Sequence, residues 1–213
     1  MTEEARARRK AAVADVKRDL IRSAAKKLFA AAGLEATSVR EIAKLAGYTT
    51  GAIYFYYGSK EDLYADILRE SLDELFERVS VSAPRNADPV DALDGAFRAL
   101  VAFYDDHPRD LDLSLYLLSG TRPRGLKPEL NRELNCKFLA VLGIYRFHLA
   151  RAGVDETRLN VEVAGLFDEM IGSLVASHTG RLRVIGTDIQ SVVGHHTANL
   201  VARLKKRNRA GGQ

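Results

Sequence analysis

Apolar residues recur at spacings of three and four along this chain, and no stretch alternates apolar and polar residues as a half-buried strand would. That period points to an all-α fold, and 213 residues are enough to bury a sizeable core. Val13, Val16, Leu20, Ala24, Leu28 and Ala32 predict the packed stripe of one long helix that stops at Gly33. Leu63, Ile67, Leu68, Leu72, Leu75, Phe76 and Val79 predict another of about six turns. Pro89, His107-Pro108, the loop T-R-P-R-G after Gly120, Pro128, Asp155 and a Thr187/Gln190 capping box punctuate the rest. The expected architecture is about nine helices and no sheet.

Between those two long helices lies T-S-V-R-E-I-A-K-L-A-G-Y-T-T-G-A-I-Y-F-Y-Y-G-S-K-E-D-L, residues 37–63. Ser38 and Glu41 form an S-x-x-E capping box that opens a short helix. Gly47 ends it with the positive φ that a sharp turn needs. A second short helix follows to about Tyr56, and Ser59 with Asp62 caps the next one. Two short helices locked by a tight turn make a helix-turn-helix. Ile42, Ala43, Leu45 and Ala46 are expected to form its buried side, with Ile53, Phe55 and Tyr57 packing inward from the second helix. Thr49, Thr50, Gly51, Ala52, Tyr54 and Tyr56 then face outward. Hydroxyls and methyls of that kind suit base edges in a major groove. Arg40 and Lys60 add cations beside them, and free amides at the helix starts can donate to phosphates.

Charge is divided in the same sense. Residues 1–60 carry a net +6, residues 203–213 carry +5, and residues 61–202 carry −7. A basic N-terminal block is expected to meet a polyanion that the acidic body repels, and its arm 1–10, with Arg6, Arg8, Arg9 and Lys10, either reaches that polyanion or is a disordered tail. The basic tail is expected to sit at the negative end of a last helix. The single cysteine, Cys136, cannot staple the chain internally, and no apolar run approaches a membrane span. The N-terminus has charges where an export signal needs an apolar segment, so a cytoplasmic location is expected. His195 and His196 project about 100° apart on a helix and do not chelate one ion. Without a phosphate loop, nucleophile elbow or metal motif, no catalytic residue, metal or cofactor is expected, and the chain is not expected to be an enzyme.

The run from Ala46 to Leu63, with Phe29, Gly33, Thr37, Ser38, Ile42 and Ala43 upstream, resembles the signature of the tetracycline-repressor family of bacterial transcriptional regulators. It departs from the family's usual pattern at Tyr48, Tyr57 and Gly58. The resemblance implies a helix-turn-helix DNA-binding domain over 1–58 and an effector-binding and dimerisation domain over 59–213. It implies phosphate contacts by Tyr54 and Lys60, and backbone contacts by Thr37 and Ser38. It also implies base or phosphate contact by Arg40, with Thr49, Thr50, Gly51, Ala52 and Tyr56 on the recognition helix.

One helix-turn-helix touches few base pairs, so a palindromic or near-palindromic double-stranded operator and a homodimer are expected. Leu166, Phe167, Met170, Leu174, Val193, Leu200 and Leu204 form stripes that would meet their symmetry mates in a four-helix bundle, or pack within one chain. Phe97, Leu100, Phe103, Tyr104, Leu113, Tyr116, Leu117, Phe138, Leu142, Tyr145, Phe167 and Met170 either surround a cavity for a small, mainly apolar effector or fill a solid core. The leading expectation is a repressor released by that effector. An activator or ligand-independent regulator of the same fold is the alternative, and a helical ligand carrier or enzyme is the reading from another class.

Overall fold

The computed structural model describes residues 2–118 and 126–210, with backbone alone for Glu3, 116–118 and 205–210. The predicted T-R-P-R-G loop, the side chains of Tyr116 and Leu117, and those of the basic tail beyond Leu204 lie outside the described residues. Ten helices are present among the described residues: α1 Glu3–Ala36, α2 Val39–Ala46, α3 Thr50–Tyr56, α4 Lys60–Ser82, α5 Pro89–Asp106, α6 Pro108–Leu118, α7 Pro128–Arg151, α8 Glu156–His178, α9 Arg181–Ile185 and α10 Ile189–Ala210. No strand occurs among the described residues. The tenth, α9, escaped the periodicity because five residues between Gly180 and Gly186 are too short to show one, and only Leu182 is buried. The start of α10 also differs from expectation: Asp188, not Thr187, caps it, its carboxylate accepting from the Ser191 amide at 2.8 Å.

The chain divides into two compact units, Met1–Ser71 with Arg109–Leu134 and Leu72–Pro108 with Asn135–Gln213. The boundary expected at 58/59 falls just before α4, inside the first unit.

In the first unit Ile21, Ala25, Phe29, Leu34, Ile42, Ile53, Leu63 and Leu68 form the core, each at most 3% exposed. Burying each large aliphatic side chain contributes about 1.5–3 kcal/mol. The packed stripe on α1 departs from the one its apolar spacing predicts. Val13, Val16 and Leu20 are 49–58% exposed, and the packed face starts only at Ile21. Regular helix does break at Gly33, whose φ is 79°. Two polar ties fasten α6 within this unit. The Tyr64 hydroxyl donates to the Leu113 carbonyl at 2.7 Å, and Lys26 pairs with the buried Asp110 carboxylate.

The second unit is organised by α5, α8 and α10, which pack on one another. Side chains tie α5 to α7 as well: Phe97 meets Tyr145 edge-on at 5.6 Å, and the Tyr145 hydroxyl donates to the Ala96 carbonyl at 2.9 Å. Gly95 lets α5 approach the end of α4, since a Cβ there would lie 2.3 Å from the Ser82 carbonyl oxygen. Any side chain at 95 forces those two segments apart.

Candidate nucleic-acid interface

The reading head is assembled from caps. Ser38 Oγ accepts from the Glu41 amide at 3.2 Å while the Glu41 carboxylate accepts from the Ser38 amide at 2.8 Å, completing the predicted box. The Ser38 hydroxyl, donating to the Glu41 carboxylate at 2.7 Å, and then the Ser38 amide hold that carboxyl below its usual range. The capping bonds also occupy amides that the sequence reading left open to phosphate. Gly47, at φ 75° and ψ 28°, closes α2, and the Tyr48 amide returns to the Ala43 carbonyl at 2.9 Å. Thr49 Oγ1 then caps α3 by accepting from the Ala52 amide at 3.2 Å.

Two residues one helical turn apart anchor the inner side of α3. Ile53 is 2% exposed, and Tyr57 is 7% exposed with its hydroxyl donating to Asp66 at 2.9 Å. Burial, then that carboxylate, raises the Tyr57 phenol, so it stays a neutral donor. With the inner side fixed, Thr49, Thr50, Gly51 and Tyr54 lie exposed on the outer one, Ala52 and Tyr56 half-buried beside them. Tyr56 is flanked by the Arg18 guanidinium, 5.8 Å above its ring, and by Phe55, edge-on at 5.1 Å. Arg40 and Ser38 are exposed at the start of α2.

Thr37 and Lys60 have other employment. Thr37 is 3% exposed, and its hydroxyl donates to the Gly33 carbonyl at 2.8 Å. The Lys60 ammonium donates to the carbonyls of Leu34 at 2.8 Å and of Glu35 and Thr37 at 3.1 Å each. Three donors on three carbonyls at the end of α1 satisfy that charge where helix acceptors run out.

Sequence reasoning misjudged two apolar side chains. Phe55, expected to pack, is 81% exposed, and Leu45, expected on the buried side of α2, is 52% exposed. The signal for Phe55 was available: two residues from both Ile53 and Tyr57, it stands about 200° around the helix from each.

The other predicted sets settle differently. Leu166, Met170, Leu174, Val193, Leu200 and Leu204 are all at most 4% exposed inside their own chain, so those stripes pack intramolecularly; only Phe167 is half-buried, edge-on to Phe138 at 5.1 Å. Of the predicted effector residues, Phe97, Leu100, Phe103, Tyr104, Tyr145 and Met170 are buried core of the second unit, while Phe138, Leu142 and Phe167 are half-buried there. Leu113 belongs to the first unit, where it lines a cavity of about 300 Å³ with Phe29, Leu34 and Tyr64. Among the described residues no helix is long and apolar enough to cross a membrane.

Known proteins share this arrangement. KstR2, an HTH-type transcriptional repressor of Mycolicibacterium smegmatis, is 39% identical over 117 residues, 50% of this chain and 57% of that one. The chain spans 40% to 58% of the length of the KstR2 relatives it matches. A bacterial regulatory protein of the tetR family from Rhodococcus RHA1 shares the fold with a TM-score of 0.71 at 23% identity, over 88% of this chain and 96% of that one. FadR from Bacillus subtilis, solved in complex with stearoyl-CoA, does so at 0.66 and 20% identity, over 85% and 96%. The family description "Bacterial regulatory proteins, tetR family" matches residues 21–67, the part of the chain that builds the exposed face of α3. Residues 21–67 are thus similar to the domain that defines the tetR family of bacterial regulatory proteins.

Proposed function

We propose that this chain is a sequence-specific DNA-binding repressor, acting as a homodimer and released from its operator by a small, mainly apolar ligand. The observation that carries the reading is the outer face of α3, which leaves Tyr54 at 55% and Phe55 at 81% exposure on a helix whose other side is anchored. A monomer gains nothing from displaying such rings; a major groove offers them thymine methyls and sugar edges. Thr50, Gly51 and Tyr54 are assigned to the groove, with Arg40 and Ser38 to the phosphates. Lys60 and Thr37 hold the end of α1 against the reading helices, as positioning residues. On this reading residues 1–58 contact DNA and 59–213 respond to effector and partner.

The dimer seam is assigned to the exposed sides of α8 and α10. Val161 is 74% exposed on α8, as are Ala164, Gly165 and Asp168 along the same helix, and Ala198 and Ala202 are exposed on α10. A Cβ at Gly165, Gly172 or Gly194 would meet nothing within 4 Å, so packing inside the chain requires none of these glycines. Glycine inside a helix costs about 1 kcal/mol relative to alanine, an expense that close approach of a second helix explains. The ligand-released part draws support from the FadR neighbour, solved with stearoyl-CoA, and from relatives that are themselves repressors.

The test is fluorescence anisotropy with DNA from upstream of the chain's own gene and its neighbours. Binding at least 1,000-fold tighter than to random duplex, falling about 10³-fold or more between 50 and 200 mM salt, is expected. Equal affinity for all duplexes overturns the reading.

A further inference from the structure

In the second unit, α4 and α7 leave a groove of about 320 Å³, lined among others by Phe76, Arg85, Gly143, Ile144, Phe147 and His148. None of the residues expected to hold an effector lines it. Its size falls at the small end of ligand sites. Three independent features distinguish it from an incidental surface dip.

The first is room. Gly143 lies within α7, yet a Cβ built on it would meet nothing within 4 Å. The helix therefore has no internal reason for glycine, and the space above it is kept open between the half-buried rings of Phe76 and Phe147.

The second is charge. The Arg85 guanidinium lies 4.6 Å over the Phe147 ring, and no carboxylate among the described residues pairs with it. Arg151, whose guanidinium is 5.8 Å from the same ring, donates to the Arg85 and Ala87 carbonyls at 2.7 Å each and fixes the loop that carries Arg85. An aromatic wall is thus bordered by positive charge.

The third is an orphan acceptor. His148 is 1% exposed; its Nε2–H donates to the Ala83 carbonyl at 3.1 Å, and its Nδ1 is buried without a partner. With the proton on Nε2, Nδ1 presents a lone pair. A buried polar atom left so costs about 1–3 kcal/mol unless something donates to it.

We propose that this groove binds a small aromatic anion: its ring against Phe76 and Phe147, its carboxylate or sulfonate on Arg85, and a ring hydroxyl, where present, donating to His148 Nδ1. Guanidinium groups pair with such oxyanions in bidentate fashion, and the rings supply apolar contact. The regulatory meaning of the site rests on the function proposed above; the binding does not, and is measured without DNA.

The probe is 1-anilinonaphthalene-8-sulfonate, titrated by fluorescence into the full chain and competed with 3-hydroxy-2-naphthoate. We expect saturable binding at one dye per protomer, displaced by the competitor. Arg85→Glu, at an exposed position, weakens it at least tenfold; Gly143→Phe abolishes it; Lys44→Glu, in the other unit, leaves it unchanged. Absence of saturable binding, or saturable binding that Arg85→Glu leaves intact, overturns the proposal. Thermal melts check the fold, and if Gly143→Phe does not fold, Arg85→Glu decides alone. A chain that binds the dye but no DNA refutes the repressor reading and leaves the groove standing; the reverse result refutes only the groove.

Discussion

α3 and α5 use the same kind of residue to opposite ends. On α3, Tyr54 and Phe55 are 55% and 81% exposed; on α5, Phe97, Phe103 and Tyr104 are at most 7% exposed. Hydrophobicity therefore does not set the fate of an aromatic ring. Its angle to the anchored residues and the length of its helix do. A seven-residue helix has room for one inner line, filled by Ile53 with Tyr57 just past its end, so its remaining rings must face out. Eighteen residues in α5 bury eight positions, and a ring beside them is drawn in. Exposed rings forgo the stabilisation that burial would give, which directs attention to what covers them in use.

Mutation separates the two cases, and the largest effect belongs to the body. Phe103→Ala empties a site that is fully buried and stacked on His107 at 4.9 Å, at a cost of about 3–5 kcal/mol. Chemical denaturation reads it as a lower midpoint at unchanged slope. Tyr54→Ala with Phe55→Ala does the reverse: the denaturation midpoint holds, and operator affinity drops about 100-fold, near 3 kcal/mol. If the double variant melted early while still binding DNA, the contrast between the two helices would collapse.

The sequence yielded the helices well wherever a cap or proline marks them. Ser38/Glu41, Gly47, Thr49 and Pro128 each stand within a residue of their expected place. Stripes told less. A period of three and four shows that Leu166 and Leu200 are buried, and says nothing about whether their own chain or a second copy buries them; here it is their own chain. The same ambiguity leaves a cavity and a solid core equally open for Phe97 and Tyr145, both of them buried. The groove at Gly143 had no periodic signal, because it is made of what is missing from a helix face. Lys60 was legible as a cation near the reader, but the three carbonyls it serves come from residues 34, 35 and 37 and are visible only in space.

That lysine gives a sharper test of how the head is built. Lys60→Met removes charge-assisted bonds from a half-exposed site, so a loss of about 1 kcal/mol is expected, discounted for solvent. A positioning residue leaves the salt dependence of DNA binding unchanged. A slope reduced by about one ion would instead make Lys60 a direct phosphate contact.

Acid offers the cleanest separation of the two regions. Burial, and then the charges of Arg151 and Arg85, hold His148 below its ordinary value of 6.5, despite its bond to Ala83. Below pH 6.5 the unfolded chain binds a proton that the folded body resists, so stability is full above that pH and falls as the pH drops toward the folded pKa. One such group contributes a slope of at most about 1.4 kcal/mol per pH unit. In the head, Glu41 is also lowered, by its bonds to Ser38, but from an ordinary value of 4.5, so its contribution is lost only below that pH. Denaturation between pH 7 and 5 should therefore weaken the wild-type body and not His148→Gln, because glutamine keeps a donor for Ala83 and takes up no proton. Parallel curves for the two proteins would mean that His148 titrates as freely as an exposed histidine. The buried ring would then be accessible to water, and the orphan lone pair in the groove would already be hydrated.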